Sequence, residues 1–138
     1  MQLTSFTDYS LRTLMYLAAY PDKMSTVKEI SEHYGISRNH LVKVVHRLSQ
    51  LSYIETTKGN GGGIKIAKHT GQLRLGDLVS KLEPNMLTVE CFDAEKHTCR
   101  ITSSCQLKHY LFEATQSFID VLNKRTLDDA AKNINFEF

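Results

Sequence analysis

The chain has 138 residues, of which 41% are hydrophobic and 23% charged, and its formal net charge is +2. This length accommodates one compact domain or a small domain with an appendage. No apolar run is long enough to span a bilayer, and the start of the chain lacks the features of a secretory leader, so we expect a cytoplasmic protein with no membrane partner.

The charge is distributed unevenly along the chain. Residues 1–80 contain ten Lys or Arg against six Asp or Glu, whereas residues 81–138 contain seven against nine. Nucleic acids attract basic surfaces, so any nucleic-acid contact is expected in the first part of the chain.

The first two predicted elements are helices. Apolar residues recur with a helical period from Tyr9 to Ala18, just before a proline. Thr26 and Glu29 have the spacing of a capping box, and Gly35 ends the short second helix that follows. The sequence therefore predicts two helices before residue 36.

A third helix follows the glycine, with Ser37 as its N-cap. Its apolar stripe consists of Leu41, Val44, Val45, Leu48 and Leu51, and its outer face carries Arg38, Asn39, Lys43, Arg47 and Gln50. Two short helices joined by a glycine turn, the second with a basic and amide-rich outer face, are typical of a helix-turn-helix DNA reader.

A hairpin is predicted next. Residues 53–57 and 64–67 alternate like strands, and residues 58–63 form a glycine-rich turn. Lys58, Lys65 and Lys68 place positive charge here, as in the wing of a winged helix. The alternatives are a helical domain with a solvated basic face, or a nucleotide site, although KGNGGG lacks the GKS or GKT ending of a phosphate loop.

The N-terminal part of a reading helix enters the major groove deepest, whereas later and wing residues meet phosphates. The predicted DNA-binding residues are accordingly Ser37, Arg38, Asn39, His40 and Lys43 for the groove, and Arg47, Lys58 and Lys65 for the backbone. For His40 the alternative is an ordinary, partly exposed helix residue.

The remainder of the chain is predicted to hold two further helices separated by a loop. A short helix over residues 75–82 ends before Pro84, residues 85–103 form the loop, and a long amphipathic helix begins at Ser104 and continues to Thr126. Its wide apolar stripe predicts packing against a second copy, which suits a palindromic DNA site, or against helix one. The expected domains are a winged helix-turn-helix at 1–83, a cysteine loop at 84–103, and a dimerisation helix with C-terminal tail at 104–138.

Cys91, Cys99 and Cys105 are the only cysteines. An odd count in a cytoplasmic chain disfavours a disulfide framework. Four interpretations stay open on spacing alone: an iron–sulfur cluster, a zinc ion completed by His97 or His109, a thiol redox switch, or three inert thiols. Cys105 is expected in the first turn of the long helix, where the dipole favours a thiolate. No arrangement of Cys, His and Asp demands catalysis, so an enzyme is not predicted.

Five segments and the cysteine trio occur in one order that is more specific than any of them alone. The segments are MQLTSFTDYSLRTLMYLA, ISRNHLVKVVHRLSQLSYI, KGNGGGIKIAK, LRLGDLVSKLEP and the long helix after the last cysteine. Together they resemble the nitric-oxide-sensing branch of the NsrR/IscR-type winged-helix iron–sulfur transcription regulators, over nearly the whole chain.

The resemblance implies a cluster held by Cys91, Cys99 and Cys105, with Asp8 of the partner subunit as fourth ligand. It favours a 4Fe-4S cluster, with 2Fe-2S as the alternative. Taken by itself, Asp8 reads as an ordinary acidic residue near a helix N-terminus. IscR-type members use a histidine at the position of Lys108, and a related branch uses one that corresponds to His33.

One departure from the family concerns spacing. Seven residues separate Cys91 from Cys99, which is longer than the family pattern, although a loop tolerates insertions at small cost. The function implied is a homodimeric repressor of a pseudo-palindromic operator that releases DNA when nitric oxide attacks its cluster. The alternatives are an IscR-type iron–sulfur or redox-status regulator, or a zinc or thiol switch on the same fold.

Overall fold

The computed structural model describes residues 1–136, a mainly helical chain with one two-stranded antiparallel sheet. The elements in chain order are α1 (Ser5–Ala19), α2 (Val27–Tyr34), α3 (Arg38–Gln50), β1 (Ile54–Thr57), β2 (Gly63–Ile66), α4 (Leu75–Leu82), α5 (Gln106–Leu122) and α6 (Leu127–Ala131). Short 3₁₀ turns lie at Thr70–Gln72 and Glu90–Phe92. The predicted winged helix-turn-helix with a long C-terminal helix is confirmed.

Local hydrogen bonds explain where α2 and α3 begin. The Glu29 amide donates to the Thr26 hydroxyl at 3.1 Å, and the Thr26 amide donates back to the Glu29 carboxylate at 2.8 Å, which confirms the capping box. Gly35 adopts a left-handed φ of 65°, and the Ser37 hydroxyl then accepts the His40 amide at 3.2 Å. These contacts set the turn between α2 and α3.

The wing is anchored to the chain before α2. In the hairpin, Ile54 pairs with Ile66 and Glu55 with Lys65. Ser25 joins β2 through a bridge in which its amide donates to the Ile64 carbonyl at 2.9 Å and its carbonyl accepts the Ile64 amide at 2.7 Å. A Cβ at Gly63 would collide with the Ser25 carbonyl, so this close approach requires glycine.

The core gathers apolar side chains from both ends of the described chain. It contains Leu14, Leu17, Ile30, Leu41, Val44, Leu48, Ile54, Ile64, Leu78, Leu82, Leu127 and Phe136, among others. Because Leu127 and Phe136 share this core, the C-terminal segment packs with the N-terminal half. The three-part division of the chain stays a prediction, and residues 137 and 138 of its last part lie outside the described residues.

The long helix is shorter than predicted. It begins at Gln106, ends at Leu122, and is followed by a separate helix α6, which the sequence analysis missed. Asn123 explains the break, because its side-chain oxygen accepts the Asp77 amide at 3.0 Å and its side-chain nitrogen donates to the Asp77 carboxylate at 3.1 Å. Thr126 and Asp129 then form a capping box that starts α6.

The two sides of α5 have different surroundings. The inner side packs on α4, where Gly76 allows the backbones to approach closely, while α6 packs on α1. The outer side is unusually apolar for a surface, with Leu107 and Tyr110 each 61% exposed and Val121 59% exposed. Within residues 1–136, no helix has the length and apolar character that crossing a bilayer requires.

Candidate nucleic-acid interface and cysteine loop

The outer face of α3 carries most of the predicted DNA-binding residues. Ser37, Arg38, Asn39, Lys43 and Arg47 are all exposed. Between residues 1 and 136, the ion pairs include none from the three basic side chains of this set. These cations are therefore available to an external polyanion such as the phosphate backbone.

His40 differs from the other predicted contacts. Its side chain is half-buried, and its ring meets the Tyr9 ring edge-on, with the centroids 5.0 Å apart. Sequence analysis did not anticipate this contact between α1 and the start of α3. A helical period places Tyr9 on the inner side of α1, but only the crossing of the two helices selects His40 as its neighbour.

The two wing lysines are in different environments. Lys58 is exposed at the end of β1 and takes part in no ion pair that the described residues form. Lys65 lies directly across the hairpin from Glu55, and its ammonium is 3.4 Å from that carboxylate. Lys58 is therefore the freer phosphate partner, since Lys65 has a competing anion beside it.

Asp8 lies in the first turn of α1 and is held by Arg12, one turn later. The Arg12 Nη2 atom is 2.7 Å from one carboxylate oxygen, and its Nε donates to the other at 3.0 Å. The two side chains are 43% and 45% exposed, so the pair is accessible from outside the chain. An exposed pair of this kind stabilises a helix by only about 0.3–0.5 kcal/mol.

Arg12 also contacts two tyrosine rings. Its guanidinium lies 5.8 Å from the Tyr9 ring centre and 6.0 Å from that of Tyr34, whose hydroxyl donates to the Arg12 carbonyl at 3.0 Å. Burial raises the pKa of Tyr34 to about 12, against the opposing effect of the Arg12 charge. Arg12 thus links Asp8 to Tyr34 in α2 and to Tyr9, which in turn contacts α3.

All three cysteines are half-buried and free. Cys91 lies in the 3₁₀ turn, Cys99 in irregular loop, and Cys105 at the N-cap of α5 with extended backbone. The expectation that Cys105 occupies the first helical turn is therefore wrong by one position. The Cys105 side chain makes no capping hydrogen bond to the first turn of α5.

The Glu90 carboxylate connects the two residues that precede Cys91 and Cys99. Glu90 Oε1 accepts the Thr98 amide at 2.6 Å and the Thr98 hydroxyl at 2.9 Å, and these bonds lower the pKa of the Glu90 carboxyl. Each partner immediately precedes a cysteine, so this Glu90–Thr98 clamp holds together the two ends of the seven-residue segment between Cys91 and Cys99. Asp93 also accepts two loop amides, which makes this segment an ordered turn.

The donor set suits soft metals, but a single chain does not assemble it. The three cysteines form no disulfide, and cysteine thiolates are the ligands that iron–sulfur clusters take. In the part of the chain that the structure describes, however, no group of three or more His, Cys, Asp or Glu side chains could hold a metal ion. A ligand set built from these residues therefore needs loop movement, a second copy, or both.

Two of the three histidines considered as alternative ligands share one cavity, and the third lies elsewhere. His97 and His109 line a cavity of about 670 Å³ between α4, the loop and α5, together with Cys91 and Lys108. The His97 Nδ1 atom is buried without a hydrogen-bond partner. His33 packs instead among Tyr16, Tyr34 and Phe136, so its ring lies partly buried in an aromatic group away from the cysteine loop.

Comparison with known proteins identifies what the chain is similar to. Residues 3–133 match the family model Rrf2, described as an iron-dependent transcriptional regulator. The chain is 49% identical to the HTH-type transcriptional regulator NsrR of Bacillus subtilis (strain 168) over 134 residues, which cover 96% of this chain and 92% of that protein. The NsrR protein of Shouchella clausii is 47% identical over 134 residues, with 96% and 90% covered.

Solved structures support the fold. The structure of CymR, the global cysteine regulator of B. subtilis, superimposes with a TM-score of 0.78 at 19% identity and covers 98% of this chain and 99% of that one. The structure of T. potens IscR gives a TM-score of 0.73 at 21% identity, with 96% and 88% covered. At such identities the likeness concerns architecture alone.

The wing makes a testable prediction about salt dependence. We expect Lys58→Ala to weaken binding to specific and random duplexes alike, and to lower the slope of log affinity against log salt by about 1, because one phosphate contact is lost. Lys65→Ala should have a smaller effect, since Glu55 already neutralises that ammonium. Fluorescence anisotropy at several salt concentrations measures both slopes.

Lys96→Ala in the cysteine loop is the matched control for loss of one exposed cation. A loss of affinity confined to the specific duplex would contradict the phosphate assignment of Lys58.

Proposed function

Because this chain belongs to the Rrf2 family of iron-dependent transcriptional regulators, we propose that it is a nitric-oxide-responsive repressor that binds a pseudo-palindromic operator as a homodimer. Membership in this family makes it a DNA-binding transcriptional regulator and not an enzyme. It works in the cytoplasm, where its DNA target lies. The observation that carries the proposal is the 49% identity to the NsrR regulator of B. subtilis over 96% of this chain.

In this proposal α3 is the reading helix. Its N-terminal residues Arg38, Asn39 and Lys43 contact base edges, and Arg47 and Lys58 contact phosphates. The exposure of all five side chains and the lack of ion pairs to its basic members within residues 1–136 support this assignment. Ser37 caps the helix and leaves its first turn directed at the DNA.

A second copy of the chain covers the outer face of α5. Leu107, Tyr110 and Val121 lie on this face, each close to 60% exposed, and burying such side chains stabilises an assembly by roughly 25 cal/mol per Å². A two-fold dimer matches a pseudo-palindromic operator, because each reading helix meets one half-site. It also brings a second Asp8 toward the cysteine loop.

The proposed ligands of a 4Fe-4S cluster are Cys91, Cys99, Cys105 and the Asp8 carboxylate of the second copy. Three soft thiolates suit iron–sulfur chemistry, and the Glu90–Thr98 clamp orders the loop despite its added length. When bound, the cluster supplies iron with which nitric oxide reacts. A single oxygen ligand is labile, which makes that iron accessible.

Arg12 gives Asp8 a second possible partner. Within one chain, Arg12 holds the Asp8 carboxylate through two contacts. Ligation by a neighbouring copy removes Asp8 from Arg12, whose guanidinium lies beside the Tyr9 ring. Tyr9 packs against His40 at the start of α3, so the two states of Asp8 bias the position of the reading helix. Because such coupling is reciprocal, binding to DNA also makes the protein hold its cluster more tightly.

The central experiment follows the chromophore and DNA binding in one sample. Anaerobically purified protein is expected to be brown, to contain iron and sulfide, and to lose both its visible absorption and its specific DNA binding on addition of nitric oxide. A colourless, zinc-containing preparation that binds DNA would refute the cluster. DNA binding that persists after complete bleaching would refute nitric-oxide sensing but not the presence of the cluster.

A pair of variants tests the role of Asp8. Asp8→Ala should alter the visible spectrum and accelerate cluster loss, because an iron ligand is removed, whereas Arg12→Ala should retain the chromophore. If Asp8 served only its ion pair, both variants would leave the visible spectrum and the rate of cluster loss unchanged and would affect stability alone. Anaerobic absorption spectra and thermal unfolding distinguish these results.

A second set of variants tests the Glu90–Thr98 clamp. Glu90→Ala removes the acceptor of both Thr98 hydrogen bonds, so we expect lower iron content and faster cluster loss to a chelator. Glu90→Gln keeps one carbonyl acceptor and should lie closer to the original protein.

Glu95→Ala, an exposed carboxylate removed from the same loop, is the matched control. If Glu90→Ala has the same iron content as the unaltered protein and loses its cluster to a chelator at the same rate, a positioning role for the clamp is excluded.

A further inference from the structure

The reading helix carries one apolar side chain that folding does not explain. Val42 is 53% exposed, whereas the other apolar residues of α3, namely Leu41, Val44, Val45 and Leu48, are all buried. A β-branched residue lowers helix propensity slightly and gains stability mainly by burial. Val42 gains little from burial here, and it lies on the helix face that the proposed function assigns to DNA, where an apolar side chain can contact a base.

The neighbours of Val42 indicate what that contact is. On a helix, residues three and four positions apart share a face, so Val42 lies beside Arg38, Asn39 and His46. All three are exposed polar side chains. Val42 is thus an isolated apolar side chain within a polar and cationic surface, which is unlike the wide apolar face of α5 that fits another protein.

The major groove presents one apolar group at its base edges, the C5-methyl of thymine. Polar side chains of a reading helix bind the donors and acceptors of neighbouring bases, while an apolar side chain contacts that methyl. We propose that Val42 contacts the methyl group of a thymine in each half-site and so determines sequence preference at that base pair. This inference rests on the proposed role of α3 as the reading helix.

The expected size follows from the loss of one methyl contact. Burying one methyl-sized group is worth about 0.8 kcal/mol, which corresponds to roughly a fourfold change in affinity. Contacts to bases do not contribute to binding of random DNA, so affinity for random duplexes should not change.

The test combines a protein change with a DNA change. The full-length, anaerobically purified protein first selects its site from randomised duplexes, and each thymine of that site is then replaced by deoxyuridine, which lacks only the methyl group. At one thymine per half-site, the unaltered protein should lose about fourfold in affinity. Val42→Ala should bind the thymine duplex more weakly than the unaltered protein does. Its affinity should not change when the thymine at that position is replaced by deoxyuridine.

Two controls keep the result interpretable. Val42→Thr keeps one of the two methyl groups and should retain part of the thymine preference, and circular dichroism checks the fold of each variant. The inference is overturned if every replacement affects the unaltered protein and Val42→Ala equally. It is also overturned if Val42→Ala weakens random and selected duplexes by the same factor.

Failure of the proposed function has a different signature. If the unaltered protein selects no site at all, the reading-helix assignment fails together with the role of Val42. If it selects a site but shows no coupling between Val42 and any thymine, only this inference fails.

Discussion

The burial of α1 is the constraint on which the rest of the structure depends. This helix packs against α3, α4, α6 and β2, and its Leu14, Tyr16 and Leu17 are completely or almost completely buried. Ser10 and Thr13 are buried as well, which would be costly for free hydroxyls. Each donates instead to the carbonyl four residues earlier, at 2.7 Å, so α1 is buried on several sides without these two hydroxyls left unpaired.

The position of α1 connects the two functional regions. Asp8 lies in its first turn and Tyr9 directly follows, and Tyr9 contacts His40 in the first turn of α3. Under the proposed function, a change in the partner of Asp8 acts close to the start of α3, without a long chain of intermediates. Packed interfaces tend to switch between discrete arrangements, which suits a regulator that must either bind or release its operator.

The cysteine loop is organised on a different principle. Its cysteines are half-buried, and polar contacts such as the Glu90–Thr98 clamp hold its chain together. Such a loop is ordered yet opens at low cost, because little apolar area is buried there. That combination suits the proposed cluster site, while the buried core around α1 stays folded.

The sequence by itself determined the features that depend on contacts within one helical turn or one hairpin. The Thr26–Glu29 capping box, the Ser37 cap and the wing all follow from residues at most about a dozen positions apart. The order of the cysteines and the other segments along the chain, which carries the family resemblance, could also be read from the sequence. Identity at the level of the family therefore needed no coordinates.

Only the tertiary structure decided which residues from distant segments meet. The Tyr9–His40 contact, the aromatic surroundings of His33 and the entry of α6 into the core join residues that are separated by long stretches of chain. The break between α5 and α6 was equally hidden, because it depends on Asn123 binding to Asp77 in α4. Periodicity shows which face of a helix is buried, but the neighbour on that face is set by the path of the whole chain.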